Sequence, residues 1–235
     1  MIIPENRIEL GVVVGSRAYG LSRPDSDWDR RGFYIAPTKD FWTFRDKPPE
    51  QYEDRESDSV YFEAQKFMKL ALGANPNVLE ILWSPLVEVE KKWAKVLREN
   101  RDMFLSKKVA NSYGGYARAQ QKRFSFQIDD LEPEERLQPP DPKTCKHAMH
   151  TIRLLHSVFV VLEENRVLVD VSEDKDLHDL LVTVRDGKMD YMSIFGYVDE
   201  LELEFKKKLE TSSLPDEPDY TKASNILKDI RLDYL

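Results

Sequence analysis

The sequence predicts an α+β fold, in which a lobe of mixed strands and helices precedes a mainly helical lobe. Up to residue 62, three short segments rich in apolar and β-branched residues have the length and composition of strands. After Pro85 the apolar residues recur at spacings of three and four, which is typical of amphipathic helices. This change of period predicts a division into residues 1–86 and residues 87–235.

The first predicted strand covers residues 7–14 and stops at Gly15, so that Ser16 stands where the chain leaves the sheet. If the next segment turns helical, its free backbone N–H groups and the Ser16 hydroxyl would face an anion such as a triphosphate. We therefore expect Gly15 and Ser16 to bind phosphate. Arg17 is a further candidate, because a guanidinium can bind phosphate through two parallel hydrogen bonds.

Two carboxylates open the second predicted strand, which runs on through residues 33–35. Asp27 and Asp29 are two positions apart, so in a strand both side chains point to the same face. Mg²⁺ takes oxygen ligands and is usually held by one or two carboxylates together with substrate phosphates. The pair therefore predicts a magnesium site, and a solvated acidic turn is the alternative interpretation.

A third carboxylate is expected from the next strand, residues 58–62, which precedes a predicted helix over residues 64–73. Asp58 opens that strand and is the favoured ligand. Glu63 is the alternative, although its position at the helix start also fits a partner of the helix dipole. Three such carboxylates could hold two ions about 3.5–4 Å apart, one activating the attacking oxygen and the other steadying the phosphates.

Several other site types do not fit the motif. An EF-hand loop starting at Asp25 would need Gly and Glu where the sequence has Arg30 and Ala36. Ser16 lacks both a neighbouring histidine and the second glycine of a nucleophile elbow. The Gly-Lys-Ser/Thr signature of phosphate-binding loops is missing too. The sequence thus disfavours a calcium loop, a serine hydrolase and a kinase-type NTPase.

The combination of Gly15-Ser16 with Ser26-Asp27-x-Asp29 and a later strand carboxylate resembles the DNA polymerase β-type nucleotidyltransferase superfamily. Further segments are similar to its RlaP-like branch, predicted nucleotidyltransferases associated with RNA repair, and extend the resemblance over most of the chain. They are residues 66–70, 75–83, 116–120 and 150–155.

This resemblance implies a polymerase-β-like catalytic lobe, a mixed sheet with flanking helices, followed by a helical substrate-binding lobe. It also implies site residues: Gly15 and Ser16 for the triphosphate, Asp27 and Asp29 for the metals, and Asp58 for the third metal position. The expected cofactors are two Mg²⁺ ions, which Mn²⁺ can replace.

The expected reaction moves a nucleoside monophosphate from an NTP to a hydroxyl acceptor, an RNA end by resemblance, and releases pyrophosphate. Two alternatives stay open. In one, the same chemistry acts on a protein side chain or a small molecule. In the other, the chain is a nucleotide-binding or antitoxin-like module without turnover.

The helical lobe and the segments between elements carry further expectations. Helices are predicted over residues 90–104, 107–126, 145–164, 177–185 and 191–209. The acidic, proline-rich residues 129–142 are expected to form a linker or long loop. Residues 47–52 are expected to form a loop beside the site, either a lid or an inert surface segment.

Basic side chains supply the candidate contacts to an RNA acceptor. Arg118, Lys122 and Arg123 lie close together on one predicted helix, near several aromatic residues, and Arg153 lies on the next helix. A solvated helix face is the alternative interpretation of this stripe. Around the acidic motif, the arginines could grip phosphate or merely balance the acids; they are Arg17, Arg23, Arg30 and Arg31.

A zinc site at Cys145, His147 and His150 is disfavoured, because a structural zinc site needs four ligands and no second ligand pair is evident. By the resemblance, His150 and Arg153 are candidates to face the cleft, although a hydrogen-bonded packing role is favoured for His150. The single cysteine excludes an internal disulfide framework and fits a reducing compartment.

The overall charge limits the partners. A formal net charge of −8 argues against an indiscriminate polyanion binder, although a local basic face remains compatible with it. The first ten residues lack the apolar core of a signal peptide, and no apolar run reaches the ~20 residues of a membrane span. We expect a cytoplasmic protein that is not bound to membranes; its oligomeric state is not encoded in the pattern.

Overall fold

The computed structural model describes residues 7–45, 47–128 and 131–235, and no side chain is described for residues 123–128. The predicted α+β class is confirmed, with a five-stranded mixed sheet near the N-terminus and helices after it. The strands are β1 (Ile8–Val13), β2 (Arg30–Tyr34), β3 (Gln51–Asp54), β4 (Ser59–Glu63) and β5 (Val87–Glu90).

The helices in the described part of the chain flank the sheet and then form the rest of the fold. They are α1 (Gly15–Ala18), α2 (Ala64–Leu72), α3 (Pro76–Trp83), α4 (Lys92–Glu99), α5 (Lys108–Ile128), α6 (Pro142–Glu164), α7 (Lys175–Arg185), α8 (Tyr191–Thr211) and α9 (Tyr220–Asp233). Asparagine or aspartate side chains cap several of them; Asp141, for example, accepts from the backbone N–H of Lys143 and Thr144 before α6.

The sheet has the order β3-β4-β2-β1-β5, with β2 and β4 parallel and the other neighbours antiparallel. All six residues of β1 are buried, as expected for a central strand of apolar and β-branched residues. Because β1 runs opposite to β2 and β4, the C-terminal end of β1 and the N-terminal ends of β2 and β4 lie at the same edge of the sheet, the Gly15 edge. Val13 pairs there with Arg30, which pairs in turn with Ser59.

Two strands and one helix were not predicted. The edge strand β3 is polar and mostly exposed, and β5 alternates valine with glutamate on the exposed opposite edge. Neither presents the apolar run by which a buried strand is recognised. β5 also lies just beyond the predicted lobe boundary at residue 86, yet it pairs with β1. The division into two lobes stays a prediction.

The unpredicted helix α9 returns the chain to the sheet. Its Arg231 forms an ion pair with Glu63 at the end of β4, and the backbone N–H of Thr38 donates to the carbonyl of Tyr234. The segment predicted as a short turn before Pro85 is instead α3, with Pro76 in its first turn.

A buried polar cluster joins the sheet region to the long helices. Glu80 of α3 accepts a 2.7 Å hydrogen bond from the Tyr19 hydroxyl and another of 2.7 Å from Arg153 of α6. The guanidinium of Arg153 lies 3.7 Å from the centroid of the Tyr19 ring. Because Arg153 is only 4% exposed, the expectation that it contacts RNA is wrong; it is a structural residue instead.

Among the described residues, no helix is both long and apolar enough to cross a membrane.

Candidate active site

The chain leaves β1 through a turn that only glycine forms easily. Gly15 has φ of +71°, in the left-handed region that L side chains rarely adopt. The four-residue helix α1 starts at this glycine, so the chain does turn helical directly after the first strand. Its first backbone N–H groups have no acceptor within the helix. Gly15 and Ser16 both line a cleft at the Gly15 edge of the sheet.

Backbone hydrogen bonds place two carboxylates at this edge. The carbonyl of Asp29 accepts from the Val14 N–H at 2.9 Å, and the carbonyl of Asp58 accepts from the Arg30 N–H at 3.1 Å. Both residues lie just before their strands rather than inside them, because β2 begins at Arg30 and β4 at Ser59. The sequence prediction that the strands include these aspartates is therefore wrong by one to three residues.

The carboxyl groups of Asp29 and Asp58 form a hydrogen bond with each other. Burial, together with this bond and the charge of Asp58, raises the pKa of Asp29 to about 6. The pKa of Asp58 is lowered, first by the hydrogen bond with Asp29 and then by one with Arg31, whose Nη2 lies 2.9 Å from Oδ1. Below about pH 6 the pair therefore shares one proton.

Asp58 adopts φ of +42°, a conformation that Asp tolerates better than most residues. Arg31 donates to its main-chain carbonyl as well as to its carboxylate. Arg31 thus balances an acid, as one of the two sequence interpretations held. Arg30 does the same, since it binds both oxygens of Glu88.

Asp27 lines the same cleft but is exposed. Within the described ranges, no three His, Cys, Asp or Glu residues are already arranged to hold a metal ion. Mutual repulsion of like charges is the physical reason why three carboxylates do not gather unaided. Asp27 nevertheless contributes to the raised pKa of Asp29.

Arg17 holds the loop that carries Asp27. Its Nε donates to the carbonyl of Asp27 at 3.0 Å, its Nη2 donates to that of Ser26 at 2.5 Å, and the guanidinium lies 4.0 Å from the Trp28 ring centroid. Arg17 does not line the cleft. Its role as a phosphate ligand stays a prediction, and its observed role is to position the acidic loop.

Glu63, the alternative third carboxylate, lies at the other end of β4. Both of its oxygens accept from Arg231, at 2.8 and 2.9 Å, and one also accepts from the Gln65 N–H at the start of α2. It is 3% exposed and fully engaged. The geometry therefore favours Asp58, and Glu63 stabilises the junction of β4, α2 and α9.

The cleft has a volume of about 400 Å³. One wall is the acidic edge described above; the other comes from α6 and α7. The residues of this second wall are Pro142, Lys146, Met149, His150 and Arg185. Lys146 and Arg185 were missed in the sequence, because a single cation on an amphipathic helix looks like part of a solvated face. The spacing of four between Lys146 and His150 was the available signal that they share a face.

His150 combines burial with access to the cleft. Burial first, and then the positive charge of Arg153, lowers its pKa to about 3. The imidazole is consequently neutral at physiological pH and offers one donor and one acceptor nitrogen. The expected packing role is incomplete, since His150 also lines the cleft.

The two walls are tied together beyond the cleft. Arg185 donates to the carbonyl of Leu21 at 2.7 Å, and Arg23 lies 2.7 Å from Asp186 at the end of α7. The carbonyl of Gly20 is 3.2 Å from Nε2 of His178. The loop after α1 is therefore held by the helical part of the chain, which fixes the width of the cleft.

The remaining sequence predictions concern residues that do not line the cleft. Arg118 lines a separate cavity against α8, Lys122 is exposed, and Arg123 lies outside the residues whose side chains are described. Pro48 lines a cavity at the opposite end of the sheet, so the idea that residues 47–52 cover the site is wrong. Nδ1 of His147 lies 2.8 Å from Oε1 of Gln120.

Comparison with known proteins adds the family. The family model described as RNA repair pathway DNA polymerase beta family (RlaP) matches residues 5–227. No curated protein matches the chain.

Proposed function

The chain belongs to the RNA repair pathway DNA polymerase beta family, and we propose that it transfers a nucleoside monophosphate from an NTP to the hydroxyl of an RNA end. In this reaction the acceptor oxygen bonds to the α-phosphorus while the bond from the α-phosphorus to the bridging oxygen breaks. Pyrophosphate leaves, and the acceptor proton passes to a carboxylate or to water. Family membership alone indicates a polymerase-β-like nucleotidyltransferase; the NTP, the metals and the acceptor are proposals.

One observation carries the proposal. The glycine turn after β1 and the hydrogen-bonded pair of Asp29 and Asp58 lie at one edge of the sheet, and Asp29 Oδ2 lies against Gly15. A phosphate held by the turn would therefore lie beside the two carboxylates. In-line phosphoryl transfer depends mainly on this kind of positioning and on electrostatic stabilisation.

The donor set fits hard divalent cations. Two carboxyl groups within hydrogen-bonding distance, with the pKa of one raised to about 6, form a site where a cation can replace the shared proton. We propose that Asp27, Asp29 and Asp58 hold two Mg²⁺ ions, for which Mn²⁺ can substitute. Bound there, the ions would offset phosphate charge and lower the pKa of the acceptor hydroxyl.

The protein's own groups take defined places around the NTP. Gly15 and Ser16 would hold the β- and γ-phosphates through backbone N–H groups and the hydroxyl. Lys146 and Arg185, on the opposite wall, would offset the charge of the triphosphate. The neutral His150 is suited to hydrogen bonding with an uncharged group such as a nucleobase, rather than with phosphate.

A labelling experiment tests the proposal. Purified protein is incubated with α-labelled NTPs, Mg²⁺ or Mn²⁺, RNA with a free 3′-hydroxyl, and a total protein extract as competitor. We expect label on RNA together with released pyrophosphate, and a loss of at least about 100-fold in Asp29→Asn and Asp58→Asn. If wild type labels no RNA, the proposal fails. Label on a polypeptide would keep the chemistry but replace the acceptor.

A further inference from the structure

A second cavity, of about 530 Å³, lies at the end of the sheet opposite the Gly15 edge. It is bounded by the end of β4, by α2 and by the first half of α5. Six of its lining residues matter below: Phe41, Lys66, Lys69, Gly73, Ser112 and Tyr116. Nothing in the proposed reaction uses them.

We propose that this cavity, the distal pocket, binds unpaired nucleotides of a single-stranded RNA acceptor upstream of the hydroxyl that lies beside Asp58. This inference rests on the proposed function, which it deepens by locating the acceptor strand. Asp58 is the exposed member of the carboxyl pair, whereas Asp29 is half-buried and lies against Gly15. The acceptor hydroxyl is therefore placed beside Asp58, on the β4 side of the sheet. The distal pocket lies on that same side, at the far end of β4.

The strand β4 connects the two places. Asp58 precedes it and Glu63, which ends it, lines the distal pocket. From Asp58 to Phe62 the chain spans about 13 Å at the usual rise of a strand. Val60 and Phe62 lie on one face, are only half-buried, and so form an accessible floor between the two sites. Lys66 Nζ lies 6.0 Å from the centroid of the Phe62 ring, where this floor meets the pocket.

The helix α5 borders the distal pocket and contacts α6, which forms one wall of the cleft. Ser112 donates to the carbonyl of Gly73 at 2.9 Å, which fixes the helix to the end of α2. One turn later Tyr116 lines the distal pocket, and a further turn brings Gln120 to 2.8 Å from His147. The sequence neighbour of His147, Lys146, lines the catalytic cleft. The distal pocket is thus connected to the carboxyl pair through β4 and to the opposite wall of the cleft through the contact of α5 with α6.

The charges of the pocket suit a phosphodiester backbone. Lys66 and Lys69 are three residues apart and point into it from one face of α2. Lys66 lies 3.3 Å from Glu50, whereas Lys69 forms no ion pair in the described part of the chain. The other carboxylate, Glu63, is neutralised by Arg231. Two ammonium groups thus face one exposed carboxylate. The net charge of the pocket is positive, although that of the whole protein is −8.

Aromatic rings supply the complementary surface for bases. Tyr116 is 39% exposed at the rim, and Phe41 lies inside the pocket. Trp42 and Phe44, which follow Phe41, are 65% and 104% exposed. Lysines beside accessible aromatic rings are the combination that binds single strands, since bases stack on rings while phosphates meet the charges.

A measurement of RNA binding in the absence of NTP tests the inference independently of catalysis. Fluorescence anisotropy measures the affinity of a labelled single-stranded RNA for the full chain without NTP. We expect Tyr116→Ser to weaken binding about tenfold and Tyr116→Phe to leave it unchanged, because stacking needs the ring. Lys69→Gln should weaken binding several-fold and reduce the salt slope by about 0.7. Lys95→Gln is the matched control, since Lys95 is exposed, forms no ion pair among the described residues and lines a different cleft.

Acceptor length separates this inference from the proposed reaction. Tyr116→Ser and Lys69→Gln should raise KM for a long RNA acceptor, but leave KM for NTP and transfer to a dinucleotide unchanged, because a dinucleotide cannot fill the pocket. If wild type extends RNA and the variants match it in both affinity and KM, the distal pocket is excluded while the reaction stands. If wild type transfers nothing, the anisotropy series alone decides, and unaltered binding in both variants overturns the inference.

Discussion

The carboxylate of Asp29 occupies the space that a side chain on residue 15 would need. Asp29 Oδ2 lies 2.5 Å from the ideal Cβ position of Gly15, closer than real Cβ contacts come. The glycine at residue 15 is therefore required twice, by its φ of +71° and by the carboxylate against it. The position of the Asp29 carboxylate therefore depends on residue 15 having no side chain.

Gly15→Ala should damage activity more than stability. A methyl group must displace Asp29, so we expect transfer to fall by at least about 100-fold. The left-handed backbone adds about 1–2 kcal/mol of destabilisation. Single-turnover kinetics and urea unfolding measure the two effects separately.

Gly187→Ala is the control for backbone strain. Gly187 has φ of +65°, but the nearest atoms to its ideal Cβ are 3.9 Å away. We expect a similar loss of stability with near-normal transfer. If the two alanine variants transferred equally well, Gly15 would be required only for its backbone conformation and not for its contact with Asp29.

Asp58→Asn and Glu63→Gln should differ in kind. Loss of the Asp58 charge should remove transfer by about 100-fold or more while the fold persists, since its side chain is largely exposed. Glu63→Gln weakens a buried ion pair with Arg231 and should lower the free energy of unfolding by about 3 kcal/mol, with activity kept by the folded fraction. If Asp58→Asn instead lowered only stability and Glu63→Gln lowered only transfer, Glu63 would be the third ligand.

The carboxyl pair predicts a pH dependence for chelator-treated protein. The folded-state pKa of Asp29, about 6, lies above the ordinary aspartate pKa of 3.8, so folded protein binds the proton more tightly than unfolded protein. This contribution to stability is complete below pH 4 and is lost as the pH rises through 6. Its size is on the order of 1 kcal/mol once solvent screening is allowed for. Urea unfolding at pH 4 to 7 should show it in wild type and not in Asp29→Asn.

The Glu80–Arg153 pair should govern stability. Arg153→Met leaves a buried carboxylate unpaired and should cost about 3–5 kcal/mol. The double variant Glu80→Gln, Arg153→Met should be more stable than the sum of the single losses predicts. If Arg153→Met instead weakened RNA binding at unchanged stability, Arg153 would be an RNA contact after all.

Lys146 should affect the nucleotide rather than the acceptor. We expect Lys146→Gln to raise KM for NTP about tenfold by removing one charge that faces the triphosphate, with KM for RNA unchanged. Lys143→Gln is a suitable control, because Lys143 is exposed on the same helix and does not line the cleft. An increase in the KM for RNA alone would place the acceptor on this wall.

The sequence alone determined the local parts of this protein. An apolar run ending at Gly15, acids at the predicted starts of the next two strands, and helical periodicity after Pro85 are short-range patterns that sterics and burial impose on the chain. They were sufficient to identify the α+β class, the glycine turn and the family. They failed for β3, β5 and α9, whose polar or amphipathic residues gain their places only from neighbours distant in sequence.

Only the tertiary structure decided which of these residues meet. Asp58 and Glu63 are both carboxylates at the ends of one strand, and the sequence left the choice between them open. The parallel pairing of β2 and β4 brings Asp58 to Asp29, whereas α9 brings Arg231 to Glu63. Arg153 was likewise assigned to RNA until its burial against Glu80 was known. A side chain's type limits its chemistry, but contacts across the fold decide its pKa, its exposure and its partner.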